Sequence, residues 1–151
     1  MKILTTRNKT EEKFLRKKTK PFDFKSYPKK EIGSLVRQMR QIMKKADGIG
    51  LAANQVGLDF KMFVAEVDGK FYAIFNPEIA KTSKESDMLE EGCLSVPGDF
   101  DEVIRPAKVT LTGQDKNGKK IKIKAWGLLA RVFQHEVDHL NGGLFIDKIK
   151  K

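Results

Sequence analysis

Cysteine, histidine and tryptophan are scarce in this sequence: one Cys, two His and one Trp occur among 151 residues. The single thiol, Cys93, cannot form a disulfide within the chain, which excludes a scaffold held together by disulfides. No apolar run approaches the roughly 18 residues of a transmembrane helix, and the N-terminal stretch lacks the apolar core of a targeting signal. The sequence therefore predicts one cytoplasmic, monomeric domain over residues 1–151 with no membrane partner.

Acidic residues are fewer than basic ones. The sequence has 20 Asp and Glu but 30 Lys and Arg, which gives a formal net charge of +10. Such a charge favours encounters with polyanions. The densest basic run, Arg16–Lys20, lacks the interleaved aromatic residues of a base-stacking surface. Two interpretations stay open, a solvated basic face or a salt-sensitive contact with the ribosome, for which this run and the tail residues Lys148, Lys150 and Lys151 are the candidates. Specific DNA recognition is not expected.

Both histidines stand in one short motif, His135-Glu136-Val137-Asp138-His139. Apolar residues recur at helical spacing from Leu128 to Leu140, and Gly142-Gly143 can end a helix. In a helix, residues i and i+4 lie one above the other, so both imidazoles can bind one divalent ion while Glu136 flanks it as a base. The motif therefore predicts a metal site on a helix.

Two imidazoles do not complete a catalytic metal site, so a third ligand must come from another segment. Cys93 lies in the segment Glu90–Gly98 and is the only thiol in the sequence. A thiolate would make a His₂Cys site for zinc or ferrous iron with one position left for water. A lone cysteine is otherwise more often a small buried hydrophobic residue. The histidine motif makes Cys93 the predicted third ligand.

The remaining pattern predicts an α+β fold, with antiparallel or mixed β-sheets packed around the central metal-binding helix. An apolar stripe over Lys29–Ala46 predicts an N-terminal amphipathic helix. Turns at Asp68-Gly69 and Asn117-Gly118 predict two hairpins, with strands at Phe60–Val67, Phe71–Phe75, Val109–Thr112 and Ile121–Lys124. Residues 1–28 are expected to be extended and then irregular.

A stretch of small residues, Gly48–Gly57, separates the first predicted helix from the first predicted strand. Its glycine spacing matches neither a P-loop nor a dinucleotide-binding loop, so an edge for an extended peptide is the preferred interpretation. Gln55 stands in this stretch as a neutral donor. It is either a functional group of the site or an amide that stabilises the loop.

Three segments, Gly48–Gln55, Glu91–Ser95 and Gln134–His139, resemble the peptide deformylase family and occur in the family's order. The resemblance implies a metallohydrolase that removes the formyl group from the N-terminal formylmethionine of newly synthesised proteins and releases formate. It implies one divalent metal ion bound by Cys93, His135 and His139, natively Fe²⁺ and often Zn²⁺ or Ni²⁺ after isolation.

Many bacterial family members continue past the metal helix into a further helix, which in some contacts the ribosome. The present sequence stops at Lys151. Docking on the ribosome by that route is therefore not expected.

The resemblance also implies roles for individual residues. Glu136 would act as general base and acid while a metal-bound water attacks the formyl carbon, and the backbone N–H of Leu94 with the amide of Gln55 would stabilise the oxyanion. The extended substrate would add a strand to a sheet edge. The residues expected to contact it are Ile49, Gly50, Leu89, Glu91, Gly92, Leu128 and Val132. Arg131 is expected at the pocket mouth, against Glu91.

Two other functions fit part of the pattern. One is a different metallopeptidase with the His-Glu-x-x-His motif, although such enzymes usually take His or a carboxylate as third ligand. The other is a basic ribosome- or RNA-binding protein with a structural metal, which would need a closed site of four ligands, while the sequence offers one Cys and two His.

Overall fold

The computed structural model describes residues 1–149, so Lys150 and Lys151 lie outside the described residues. Three α-helices are present: α1 (Lys9–Leu15), α2 (Lys29–Lys45) and α3 (Gly127–Leu140). Seven strands accompany them: β1 (Gly50–Ala52), β2 (Met62–Val67), β3 (Lys70–Thr82), β4 (Ser86–Cys93), β5 (Val96–Pro106), β6 (Lys108–Gln114) and β7 (Lys120–Trp126). No helix within residues 1–149 is long and apolar enough to cross a membrane.

Five strands form one antiparallel sheet in the order β1-β2-β3-β6-β7, while β4 and β5 form a separate hairpin. This arrangement confirms the predicted α+β class. Both predicted hairpins are present. Asp68 and Gly69 have φ values of 52° and 78°, as a turn that matches the strand twist requires. In the second turn Gly118 supplies the positive φ, 81°, and the Asp115 side chain accepts the N–H of Asn117.

α2 covers one face of the sheet at its β1–β2 end. Its buried residues recur at helical spacing and pack against apolar side chains of β1, β2 and β3: Ile32, Val36, Met39 and Met43. Full burial of each such side chain contributes about 1.5–3 kcal/mol. The predicted amphipathic helix is confirmed.

α3 covers the opposite face of the same sheet. Ala130, Phe133, Val137 and Leu140 pack on side chains of β2, β3, β6 and β7. The two-residue period of a strand divides β2 between the layers: Phe63 and Ala65 pack with α3, whereas Met62 and Val64 pack with α2. The sheet thus fixes the rotation of α3 and turns the helix's remaining face towards β1 and the β4–β5 hairpin.

Two regions contain elements that were not predicted from the sequence. Residues 1–28 contain α1, whose N-cap Asn8 accepts the N–H groups of Thr10 and Glu11. Only Leu15 of this helix is buried, so no apolar periodicity indicates it. The β4–β5 hairpin was likewise not predicted, because β4 is exposed from Ser86 to Glu90 and shows no alternation of apolar residues.

Candidate active site

One face of α3 opens into a cleft of about 620 Å³, between the helix, β1 and the β4–β5 hairpin. Leu128, Val132, His135 and Glu136 line it at the spacing of a single helical stripe. The opposite stripe of α3 is the one buried on the sheet. One stripe of α3 therefore belongs to the hydrophobic core, and the opposite stripe forms the floor of the cleft.

The three predicted metal ligands converge at the base of this cleft. Cys93 Sγ lies 3.2 Å from His139 Nε2, which in turn lies 3.1 Å from His135 Nε2. All three ligand atoms lie within 4.8 Å of one another. Burial holds the pKa of His139 well below its usual value, which keeps the ring neutral and its lone pair free for a metal. One thiolate and two imidazoles fit a catalytic zinc or ferrous site with an open position.

Glu91 orients His135 from beneath. Its Oε1 lies 2.9 Å from His135 Nδ1, and Arg105 donates to both of its oxygens at 2.6 and 2.9 Å. Burial raises the pKa of Glu91, but hydrogen bonds from His135 and Arg105 outweigh burial and hold it far below its usual value. The ionised carboxylate keeps a proton on Nδ1, so Nε2 faces Cys93 and His139.

The protonation of His135 also bears on metal binding. Burial lowers its pKa, but hydrogen bonds to Cys93 and Glu91 raise it to about 10. A proton and a metal ion therefore compete for this ring, and metal binding releases the proton.

Two residues lie elsewhere than the sequence predicts. Arg131 contacts Glu91 as expected, but it is 6% exposed and lies beneath the hairpin, where it donates to the carbonyls of Val103 and Asp87 at 2.9 and 2.8 Å. These acceptors offset the cost of burying the guanidinium, so Arg131, which also lines the cleft, is buried in its wall and does not extend to solvent at the mouth. Leu89 is 45% exposed and lies outside the residues that line the cleft.

Glu136 faces the cleft beside the ligands. It is 3% exposed, and its Oε1 has no hydrogen-bond partner among the described residues. Burial raises its pKa to about 7. A carboxyl group that titrates near neutrality and faces a cleft is suited to proton transfer.

Gln55 fixes its own loop, and its amide nitrogen reaches the cleft. Its Oε1 accepts the N–H of Ala52 at 2.9 Å, which fixes the loop. Its Nε2 donates to Ser95 Oγ at 3.0 Å and lies 3.6 Å from Cys93 Sγ, at the cleft that Leu94 also lines. Ser95 was not singled out from the sequence. Its position two residues after the predicted thiolate ligand is the one signal that could have identified it.

β1 is an edge strand of the sheet, and its free side belongs to the cleft. Ile49 O accepts the N–H of Glu66, and Gly50 is paired with Ala65. Because an antiparallel ladder alternates, the N–H and C=O of Gly50 point away from β2 towards the open edge. A Cβ on Gly50 would lie 2.8 Å from Glu136 Cδ and 3.1 Å from Val132 Cγ1. Glycine is required for this close approach.

Comparison with known proteins identifies the family. The family model described as polypeptide deformylase matches residues 2–151. The chain belongs to the peptide deformylase family. A peptide deformylase of Halothermothrix orenii is 48% identical over 137 residues, which cover 89% of this chain and 86% of that protein. One from Treponema pallidum is 44% identical over 119 residues, with coverages of 79% and 74%.

Solved structures of peptide deformylases have the same fold as this chain. The peptide deformylase of Thermotoga maritima has a TM-score of 0.90 at 36% identity and covers 99% of this chain and 97% of its own. That of Synechococcus elongatus, crystallised in complex with actinonin, has a TM-score of 0.90 at 37% identity, with coverages of 100% and 79%. The chain is thus an enzyme that removes the N-formyl group from the N-terminal formylmethionine of new proteins. Family membership favours this function over the other metallopeptidase and over the RNA-binding protein with a structural metal.

Proposed function

We propose that Cys93, His135 and His139 hold one ferrous ion and that Glu136 transfers the protons of deformylation. The observation that carries this proposal is the convergence of three ligand atoms, one sulfur and two imidazole nitrogens, within 4.8 Å beside a buried carboxyl group in the cleft. A divalent ion held by these three residues would supply Lewis acidity, which acidifies water and polarises a carbonyl oxygen. Zn²⁺ and Ni²⁺ bind such donors more tightly than Fe²⁺, so either can replace it during isolation.

The substrate lies extended along the open edge of β1. The N–H and C=O of Gly50 bond to its main chain, and Gly92 borders the strand on the hairpin side. Main-chain bonds of this kind hold peptides of any sequence. The methionine side chain enters the apolar part of the cleft, which is lined by Ile49, Leu128 and Val132.

Proton transfer follows from the position of Glu136. Its carboxylate takes a proton from the attacking water as the new C–O bond forms at the formyl carbon. The amide of Gln55 and the backbone N–H of Leu94 donate to the developing oxyanion. Glu136 then passes the proton to the amine nitrogen as the C–N bond breaks, which releases formate and a free amino terminus.

Glu91 positions His135 and does not contact the substrate. Its two carboxylate oxygens are already engaged by His135, Arg105 and Arg131. The sequence-based assignment of Glu91 to substrate binding is therefore replaced by a role in orienting a metal ligand.

The enzyme acts on nascent chains as a cytoplasmic monomer, and its charge of +10 supports a salt-sensitive contact with the ribosome.

The test compares formyl-Met-Ala-Ser with acetyl-Met-Ala-Ser, using protein purified without oxygen and analysed for metal. We expect hydrolysis of the formyl peptide alone and about one iron per chain. Full activity after the metal has been removed by a chelator, or cleavage of internal amide bonds, would overturn the proposal.

A further inference from the structure

The outward face of β7 is unusually basic. Lys120, Lys122 and Lys124 alternate with Ile121, Ile123 and Ala125, which pack in the cluster that contains α3. The lysines therefore point away from α3. On that side of the sheet α2 contacts β1 and β2, whereas all three lysines of β7 are exposed.

Neighbouring strands extend this surface. Lys124 is paired with Thr110 of β6, and Thr110 with Lys81 of β3, while Trp126 is paired with Lys108. Lys81, Lys108, Lys124 and Trp126 line a groove of about 510 Å³. We call Lys81, Lys108, Lys120, Lys122, Lys124 and Trp126 together the β7 face.

The charges of the β7 face are not neutralised. Within residues 1–149, none of its five lysines forms an ion pair with a carboxylate. One carboxylate, Glu78, lies near the β7 face, where it is paired with Thr112 of β6. By contrast, the run Arg16–Lys20 shares ion pairs with Asp147 and Asp59. The lysines of the β7 face are thus less neutralised by carboxylates than the densest basic run of the sequence, Arg16–Lys20.

Trp126 gives this basic surface a flat aromatic platform. It is 70% exposed, whereas a tryptophan normally buries most of its area. Bases of a single strand stack on exposed aromatic rings while lysines along the groove bind phosphates. Alternate residues of a strand are about 6.8 Å apart, so the lysines of β7 form a row that a nucleic-acid backbone can follow.

We propose that the β7 face binds single-stranded RNA, with phosphates at its lysines and a base stacked on Trp126. RNA is the nucleic acid that accompanies newly made peptides. A membrane surface would need further apolar side chains, but the neighbouring outward positions on β6 are Thr110, Thr112 and Gln114. The proposal does not depend on the metal chemistry.

Intrinsic fluorescence gives a direct test, because Trp126 is the single tryptophan of the sequence. Titration with an oligouridine of about twelve nucleotides should quench its emission, and the affinity should fall steeply with salt. Binding of labelled oligouridine without quenching would place the RNA elsewhere. Preferential binding to vesicles of anionic phospholipid, with a shift of emission to shorter wavelength, would overturn the proposal in favour of a membrane.

Matched variants separate a site from a general effect of charge. Lys108→Glu/Lys124→Glu and Lys29→Glu/Lys30→Glu change the net charge equally, but the second pair lies at the exposed start of α2. We expect the first variant to weaken oligouridine binding about tenfold or more and to lower the salt slope by roughly 1.4, the value for two lost phosphate contacts. Equal weakening by both variants would refute a β7-face site.

The aromatic contribution is tested by labelled-RNA anisotropy. Trp126→Ala should weaken binding about fivefold or more, and Trp126→Phe should retain most of the affinity because a ring can still stack. Unchanged binding by Trp126→Ala would contradict the stacking assignment. Hydrolysis of a short formyl peptide should remain at the parent rate in both lysine variants, which shows that they are folded.

Discussion

At the scale of single residues, Glu136 directly follows the proposed metal ligand His135, yet one of its carboxylate oxygens has no partner among the described residues. A base needs an ionisable oxygen at the substrate but no bond to the ion. We expect Glu136→Gln to keep its metal and to lose at least about 100-fold in kcat, because the amide has a similar shape but cannot accept a proton. Metal analysis and hydrolysis of formyl-Met-Ala-Ser measure the two effects.

Glu90→Gln is the matched control for that variant. Glu90 also lines the cleft, but it is exposed, so its loss should change kcat little. If Glu136→Gln lost its metal while Glu90→Gln kept it, Glu136 would be a ligand.

A second residue-scale prediction concerns the close approach of β1 to α3. In Gly50→Ala the new methyl group would lie 2.8 Å from Glu136 Cδ, so either the strand or the carboxylate must move. We expect kcat/KM to fall by about tenfold or more, because the site depends on placement to within about 0.5 Å. Steady-state kinetics on a short formyl peptide measure the effect.

Gly33→Ala provides the comparison. Gly33 lies within α2, where a Cβ would meet only the flexible end of Arg37 at 3.3 Å. This variant should be more stable to urea by about 0.5–1 kcal/mol, with unchanged kinetics. Normal kinetics in Gly50→Ala would show that the cleft tolerates a wider separation of strand and helix.

The sequence could single out Cys93, His135 and His139 because Cys and His are rare in it, and Glu136 because it stands directly after His135 in the His-Glu-x-x-His spacing. It could not predict Arg105, which is 2% exposed. Nothing near position 105 indicates burial of a charge, since its acceptors stand 14 and 33 positions away. Only the folded packing of the hairpin on α3 brings them together.

At the scale of elements, Arg105 joins the β4–β5 hairpin to α3. Besides its two bonds to Glu91, it donates to Asp138 Oδ2 at 2.8 Å. We expect Arg105→Met to lower the free energy of unfolding by about 3–5 kcal/mol, because removal of one partner leaves a buried charge uncompensated. Urea unfolding of the parent and the variant, loaded with the same metal, measures the difference.

Arg40→Met is the matched control for Arg105→Met, because it removes an arginine from an ion pair at the surface. Arg40 binds Glu66 at 2.6 Å, but its side chain is 43% exposed, so water replaces the lost contact and the loss should be about 0–1 kcal/mol. A loss of this small size in Arg105→Met would mean that the hairpin is not held to α3 by its ion pairs.

The helices with a buried stripe, α2 and α3, were predicted from periodicity, and both hairpins of the main sheet from their turns. The structure extends β3 to Thr82, beyond the predicted end at Phe75. Register shifts between Phe75 and Glu78 and between Ile79 and Lys81 interrupt the alternation on which strand prediction depends. α1 and β4 were not predicted because α1 buries only Leu15 and β4 is exposed from Ser86 to Glu90, so neither shows a periodic apolar face.

At the scale of the whole molecule, the net charge of +10 acts over a longer range than any contact in the cleft. Part of the run Arg16–Lys20 is paired with acidic groups, and Lys148 with Asp138. The local basic run is therefore a poorer guide to polyanion binding than the summed charge. The sequence indicated the charge correctly but could not show which lysines lack partners, since pairing is a property of the fold.

The field of the whole molecule should affect where the enzyme works more than how fast it reacts. Screening extends over about 10 Å at 0.1 M salt and shortens as salt rises, so association with ribosomes, which are polyanions, should fall steeply over that range. Hydrolysis of a short neutral formyl peptide should change little, because the reacting groups are in contact and no phosphate takes part. Co-sedimentation with ribosomes and steady-state hydrolysis, measured in the same buffers, compare the two. Salt-insensitive sedimentation, or none at low salt, would show that the net charge does not direct this enzyme to the ribosome.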